Sequence, residues 1–242
     1  MKYELRTTAD GSYTLYSKEY GECYHSVRDG ALTEALHKHV LPAFSFTDKR
    51  HLNILDICFG LGINTLATLY HFQRQEKVRS LAIYSPELDS DLLHILPRLE
   101  YPEALKPYLS ILQSLIENKE YRSENITIEL FVGDAREYVR KLKDIDIVYQ
   151  DAFSPKKNPS LWTVEYFEDL FRCTSEDAVL TTYSIATPVR LALDEAGWLV
   201  YQMEPRHTKP ITVASKKRLP LEPIDMAAKR MRSTSRPLRD SE

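Results

Sequence analysis

Four carboxylates stand where a predicted strand gives way to a turn: Asp56, Glu87, Asp134 and Asp151. The first opens Asp56-Ile-Cys-Phe-Gly60-Leu-Gly62-Ile-Asn64, an acid-x-x-x-Gly-x-Gly pattern. Gly60 and Gly62 let backbone approach a ligand closely at the carboxyl edge of a sheet, where open α/β folds bind ligands. The third glycine of a dinucleotide fingerprint is replaced by Thr65, and no Gly-Lys-Ser or Gly-Lys-Thr follows. Neither a nicotinamide dinucleotide nor a phosphate-cradling loop is therefore indicated. Glu87, in Tyr84-Ser-Pro-Glu-Leu-Asp89, can accept both hydrogen bonds of a ribose diol, and Asp134, followed by Ala135, can accept from the amino group of adenine. Each acid alone also reads as a helix cap or a solvated loop. Three at the ends of successive strands favour an adenosine-bearing cofactor without a pyrophosphate, and S-adenosylmethionine fits.

Asp151 begins Asp151-Ala-Phe-Ser-Pro-Lys-Lys-Asn-Pro-Ser-Leu-Trp162. Methyl transfer needs a nucleophile held in line with an activated carbon, so the protein contributes mainly positioning and desolvation. An alkylamine nucleophile has a pKa of about 10.4 and an aspartate one of about 3.9, so Asp151 is a weak base for it. Aiming the amine by accepting its N–H suits this residue better than removing its proton. Phe153, Pro155, Pro159 and Trp162 make a stiff, aromatic-lined wall; Trp162 either stacks on a base or closes the core under the loop. Lys156 and Lys157 either contact phosphates or sit in solvent. The seven histidines show no metal-ligand spacing, and His37 and His39 are expected at the surface, on different faces of a helix. No metal is indicated.

These residues need a scaffold, and the chain alternates strand and helix patterns. Strands are predicted at 53–57, 81–84, 126–132, 145–149, 178–183, 198–202 and 211–214, and helices at 32–41 (stopped by Pro42), 64–72, 164–173 and 189–196. Residues 90–120 look helical but broken at Pro97, Pro102 and Pro107. That alternation implies an α/β fold, a seven-stranded mainly parallel sheet with helices on both faces and a final antiparallel strand. It is the layout of class I methyltransferases. Residues 1–45 read as an N-terminal hairpin, turning at Asp10-Gly11, and a helix; 46–215 as the core; 216–242 as a basic, flexible tail.

With 43% hydrophobic and 28% charged residues the composition is that of a globular protein, and the net charge of −3 argues against a chain that coats nucleic acid indiscriminately. The amino terminus has no signal-peptide core, no apolar run approaches a membrane span, and Cys23, Cys58 and Cys173 form no pair motif. A cytoplasmic protein without membrane contact is expected.

Residues 151–163 resemble the Asp-Gly-Phe-Ala-Pro-x-Lys-Asn-Pro-x-x-Trp segment of the MnmC-like methyltransferase domain, which acts on the tRNA wobble uridine. Phe59-Gly-Leu-Gly-Ile-Asn64 is similar to that family's Phe-Gly-x-Gly-Leu-Asn. Thr181–Arg190 with Leu193–Gly197, and Glu22–Ser26 with Gly30 and Glu34, are similar to further family patterns. The resemblance implies S-adenosylmethionine-dependent methylation of 5-aminomethyluridine, 2-thiolated or not, to 5-methylaminomethyluridine in a tRNA anticodon stem-loop. It implies that Tyr24, Glu34, Gly60, Gly62, Asn64, Glu87, Asp134 and Ala135 line the cofactor and that Asp151 faces the amine. Two departures stand out: Ala152 replaces a glycine, and the family's Gly-Arg-Lys-Arg is reduced to Arg206–Pro210. The flavin oxidase domain of bifunctional members is expected to be absent, with no flavin and no obligate protein partner, and the basic tail to grip the anticodon stem. Rival readings are an aminopropyltransferase-like polyamine enzyme and a non-catalytic tRNA-binding protein on the same fold.

Overall fold

The computed structural model describes residues 2–240. A hairpin of β1 (Tyr3–Thr7) and β2 (Tyr13–Ser17) is joined by the short β3 (Glu22–Cys23) in an antiparallel three-stranded sheet. Its turn is held by Asp10, whose carboxylate accepts from Thr8, Ser12 and the Thr33 backbone N–H. Burial pushes this carboxyl up, but those bonds outweigh it and hold the pKa at about 2.

Next come α1 (Ala31–Glu34), a π-helical stretch over Ala35–Val40, and α2 (Leu41–Ser45). Pro42 does not end the helix as the sequence led us to expect. It lacks the N–H that residue 38's carbonyl would take in an α-helix, and the widened π turn just upstream has already broken that register. Three successive residues of the π stretch, Lys38, His39 and Val40, are buried.

The core follows as β4 (His51–Ile57), α3 (Ile63–Phe72), β5 (Ser80–Glu87), α4 (Ser90–Leu93), α5 (Leu109–Asn118), β6 (Glu120–Arg122), β7 (Ile126–Val132), α6 (Ala135–Val139) and β8 (Ile145–Gln150). Then come α7 (Val164–Cys173), β9 (Thr174–Thr182), α8 (Thr187–Glu195), β10 (Leu199–Met203), β11 (Ile211–Ser215) and α9 (Met226–Arg232). The sheet has eight strands in the order β10-β11-β9-β8-β4-β5-β7-β6. The central five run parallel, and β11 enters antiparallel between β9 and β10. The strand beyond the expected seven is β6, a three-residue edge ribbon antiparallel to β7, starting at the last residue of the stretch that read as broken helix.

Every residue of β8 is buried, as a central strand covered by helices on both faces requires. Strand order reverses between β4 and β8, the topological switch point where open α/β sheets bind ligands. Ile57 pairs with Gln150 and Glu87 with Val132, so the chain leaves β4 and β8 side by side, and likewise β5 and β7.

The last segment differs from the flexible tail expected. Ile224 donates its N–H to the Val200 carbonyl, Met226 is buried against α8, and Leu238 pairs with Thr163 beside α7. Arg230 meets Asp194, Arg239 meets Glu165 and Glu195, and Arg136 meets Asp240. The composition is basic and proline-rich, but Ile224, Met226 and Leu238, with Arg230 and Arg239, have partners on the core.

Candidate active site

The turn leaving β4 places Cys58, Gly60 and Gly62 at φ 66°, 55° and 73°. Two of the three sites are glycine, which meets such angles without a Cβ penalty. At Gly60 a Cβ would stand 3.2 Å from the Tyr24 ring, and at Gly62 2.9 Å from Phe59. Gly60 faces the cavity; Gly62 packs behind it as the cap residue of α3. The Gly60 N–H donates to Glu87 Oε2 and the Asp89 N–H to Oε1, both at 2.8 Å. Each oxygen keeps a further lone pair. Burial pushes the Glu87 carboxyl up, only partly offset by these donors. One strand over, Asp134 caps α6 by accepting the Arg136 N–H through Oδ1. This side chain thus both caps α6 and lines the cavity.

These groups line one cavity of about 840 Å³ at the carboxyl edge of the sheet, together with Tyr24, Glu34, Asn64, Ala135, Asp151 and Phe153. Carboxylates far outnumber lysines in its wall. The three-stranded sheet roofs it. Tyr3 and Lys2 reach Asp89 on one side, and Glu22 accepts from the backbone N–H and hydroxyl of Ser154 on the other.

Asp151 follows β8 directly, its side chain 8% exposed. Asn64 Nδ2 donates to Asp151 Oδ2 at 2.9 Å and approaches Asp56 Oδ1 at 3.4 Å. Since the Asp151 carboxylate only accepts, the amide orientation follows, and Asn64 Oδ1 is left buried with no donor among the described residues. The loop after Asp151 is fixed from below. Tyr183 donates to the Ala152 carbonyl, Trp162 Nε1 to that of Phe153, and Gln150 Nε2 to that of Leu161. Phe153 stacks on Tyr20, ring centres 4.3 Å apart, and meets Tyr24 edge-on.

Trp162 is fully buried under this loop, so it closes the core and does not offer a face for a base. Pro155, Lys156 and Lys157 lie outside the cavity wall, with both lysines exposed on the loop leading away from Asp151. Lys157 Nζ stands beside Gly21 of the roof.

Two features escaped the sequence reading. The first is a buried charged cluster in which Glu34 takes Lys38 Nζ at 2.6 Å and the Ser26 N–H at 2.7 Å, with His25 at 3.7 Å and Asp29 on the far side of Lys38. Burial pushes the Glu34 carboxyl up; His25 and Lys38 outweigh it and hold it below the usual range. The i,i+4 spacing of Glu34 and Lys38 was the available signal. The second is His39, wholly buried, with Nε2 at 3.4 Å from Asp151 Oδ1. Asp56, also buried, accepts from Thr65, and burial raises its pKa to about 7. No group of three or more metal-ligating side chains occurs among the described residues, and no helix among them is long and apolar enough to cross a membrane.

A switch-point cavity with a glycine turn and acids at successive strand ends defines a class I methyltransferase. In agreement, residues 100–217 match a family described as S-adenosyl-L-methionine-dependent methyltransferases. The crystal structure of MnmC2 from Aquifex aeolicus superposes with a TM-score of 0.81 at 33% identity, covering 98% of this chain and 79% of that one. This chain belongs to the MnmC-like methyltransferase family. The tRNA 5-methylaminomethyl-2-thiouridine biosynthesis bifunctional protein MnmC of Burkholderia vietnamiensis is 31% identical over 207 residues, 78% of this chain and 31% of the relative. An uncharacterized protein of Methanocaldococcus jannaschii is 34% identical over 207 residues, 84% of this chain and 56% of the relative. The chain thus spans about half or less of the length of these two relatives.

Proposed function

We propose that this chain methylates the primary amine of 5-aminomethyluridine, or of its 2-thio form, at the tRNA wobble position, with S-adenosylmethionine as donor. The product is the 5-methylaminomethyl nucleoside, and the reaction belongs to the cytoplasm, with tRNA. The carrying observation is the junction of the Gly60 turn with Asp151 in one cavity, bridged by Asn64. The name of the Burkholderia relative supports the same product.

The cavity suits the donor. Its wall is acidic, which favours a cationic ligand over a phosphorylated one. Asn64 Oδ1 is an acceptor in want of a donor, and the Glu87 oxygens have lone pairs to spare for a diol. Gly60 leaves open the space a Cβ would take. In this reading Tyr24, Glu34, Gly60, Asn64, Glu87, Asp134 and Ala135 line the cofactor, with Gly62 shaping the turn. When bound, S-adenosylmethionine supplies a methyl carbon made electrophilic by its sulfonium.

Asp151 then accepts an N–H of the substrate amine, aiming the nitrogen lone pair into the cavity. Asn64 holds Oδ2 through one lone pair, and a remaining carboxylate lone pair takes the amine N–H. Phe153, braced by Tyr20 and Tyr24, excludes water beside the reacting nitrogen. Pro155 stiffens the loop, and Lys156 and Lys157 meet phosphates of the anticodon stem-loop.

The test incubates the purified protein with methyl-labelled S-adenosylmethionine and tRNA carrying either 5-aminomethyluridine or unmodified uridine, followed by nucleoside analysis. Label is expected only in the aminomethyl form. Label in both, or in neither, refutes the substrate assignment.

A further inference from the structure

One polar side chain at the reaction centre has no part in the reading above. His39 is 0% exposed. Its Nδ1 lies 3.1 Å from Thr181 Oγ1 and its Nε2 3.4 Å from Asp151 Oδ1, with no hydrogen-bond partner for Nε2 among the described residues. The π-helical turn that carries it is itself unusual, since such turns occur mostly as single insertions and often at functional sites. That turn brings His39 inward beside Lys38.

The chemistry of the neighbours fixes how the ring can be satisfied. Asp151 offers only acceptors, so a stable contact needs a proton on Nε2. The Thr181 hydroxyl can then donate to Nδ1, and Tyr149, tilted 55° at 5.7 Å, limits rotation of the ring. Asp56, the buried carboxylate that shares Asn64 with Asp151, is occupied by Thr65 and Asn64. Asp151 would thereby be gripped at both oxygens, Oδ2 by Asn64 and Oδ1 by His39.

We propose that His39 is the positioning residue for Asp151, with Thr181 orienting its ring, so that the carboxylate presents one fixed rotamer to the nucleophile. The inference rests on the reading that Asp151 faces the reacting amine. It follows the general logic in which a reacting group is held by a partner that is in turn oriented by a third.

Two measurements decide it. In the full chain labelled with ¹⁵N-histidine, NMR shifts report which ring nitrogen of His39 carries a proton, His39→Gln supplying the assignment. A proton on Nε2 is required, and a bare Nε2 overturns the proposal. This arm needs no activity and holds even if the substrate assignment fails. The second arm compares His39→Phe, which removes the donor, with His39→Gln, whose amide N–H can replace it. With aminomethyl-tRNA, His39→Phe is expected to lower kcat at least tenfold at unchanged S-adenosylmethionine affinity, and His39→Gln to stay within about threefold of the native enzyme. Any other pattern between two folded variants overturns it. If the native chain leaves aminomethyl-tRNA unlabelled, the substrate reading has failed, and the NMR arm alone judges His39.

Discussion

At the scale of single residues, the proposed reaction centre is a set of acids whose environments have been driven apart. Asp151 sits at the cavity wall, held by Asn64, whereas Asp56, two residues before the glycine turn, is fully buried and has a pKa of about 7 because burial disfavours its charge. An ordinary aspartate in the unfolded chain titrates near 3.9. Between those values the folded state keeps a proton that the unfolded state releases, so Asp56 erodes stability as pH rises from about 4 to 7. Asp56→Asn removes this dependence. Its unfolding free energy relative to the native protein should rise across that window, by at most about 4 kcal/mol, and denaturant titrations at pH 4.5 and 7.5 measure the difference. A difference that is flat or falls with pH contradicts the assignment. Asp151→Asn, in contrast, should leave cofactor binding within about threefold and lower kcat by about 100-fold or more, because misplaced reacting groups cost on that order; calorimetry and single-turnover rates separate the two. Asp151, Glu87 and Asp134 were legible because each follows a strand pattern, and strand ends converge at one rim. His39 was not. A helical wheel drawn at a constant turn placed it on the surface, and a π insertion is not encoded in the spacing of apolar residues.

At the scale of elements, the cavity depends on the loop after β8 being as stiff as the strands beside it. Three core side chains hold it from below, and Glu22 of β3 holds it from above through Ser154. The Glu22 contact joins the roof to the reaction centre and pairs a carboxylate with neutral donors, a type worth about 1.5–3 kcal/mol. Glu22→Ala should therefore lower kcat/KM for the proposed RNA substrate about tenfold or more while the fold persists. Steady-state kinetics beside a thermal melt test this; unchanged kcat/KM with a folded variant would mean that the roof is irrelevant to catalysis. The parallel core was readable from alternation of apolar strands with amphipathic helices. What the pattern missed were elements too short to have a period: β3 of two residues and β6 of three, stabilised by pairing with a neighbour and not by their own sequence. Pro42 misled for a related reason, since its missing N–H is a local rule and the widened turn that accommodates it lies upstream.

For the molecule as a whole, the question is what the basic segment after residue 215 does. Composition made it a candidate grip on the anticodon stem. Three of its cations, however, meet acids of the core: Lys217 with Asp177, Arg230 with Asp194 and Glu195, Arg239 with Glu165 and Glu195. Between them Ile224, Met226 and Leu238 pack onto the cluster that includes Trp162 and Phe167, directly behind the loop bearing Asp151. Apolar contacts of this kind, each worth up to about 1.5–3 kcal/mol when fully buried, make the segment a strap for α7 and α8. Deleting residues 222–242 should uncover those side chains and leave Asp194, Glu165 and Glu195 without their arginines. A loss of about 4 kcal/mol, at about 2–4 °C per kcal/mol for a chain of this size, lowers Tm by about 10 °C. An RNA grip would behave differently: Tm would hold while tRNA affinity fell with a reduced salt dependence, since each lost phosphate contact lowers that slope by about one. Thermal melts and tRNA binding at two salt concentrations, run on the deletion and on Arg230→Ala, separate these outcomes. The strap assignment requires the melts to move first.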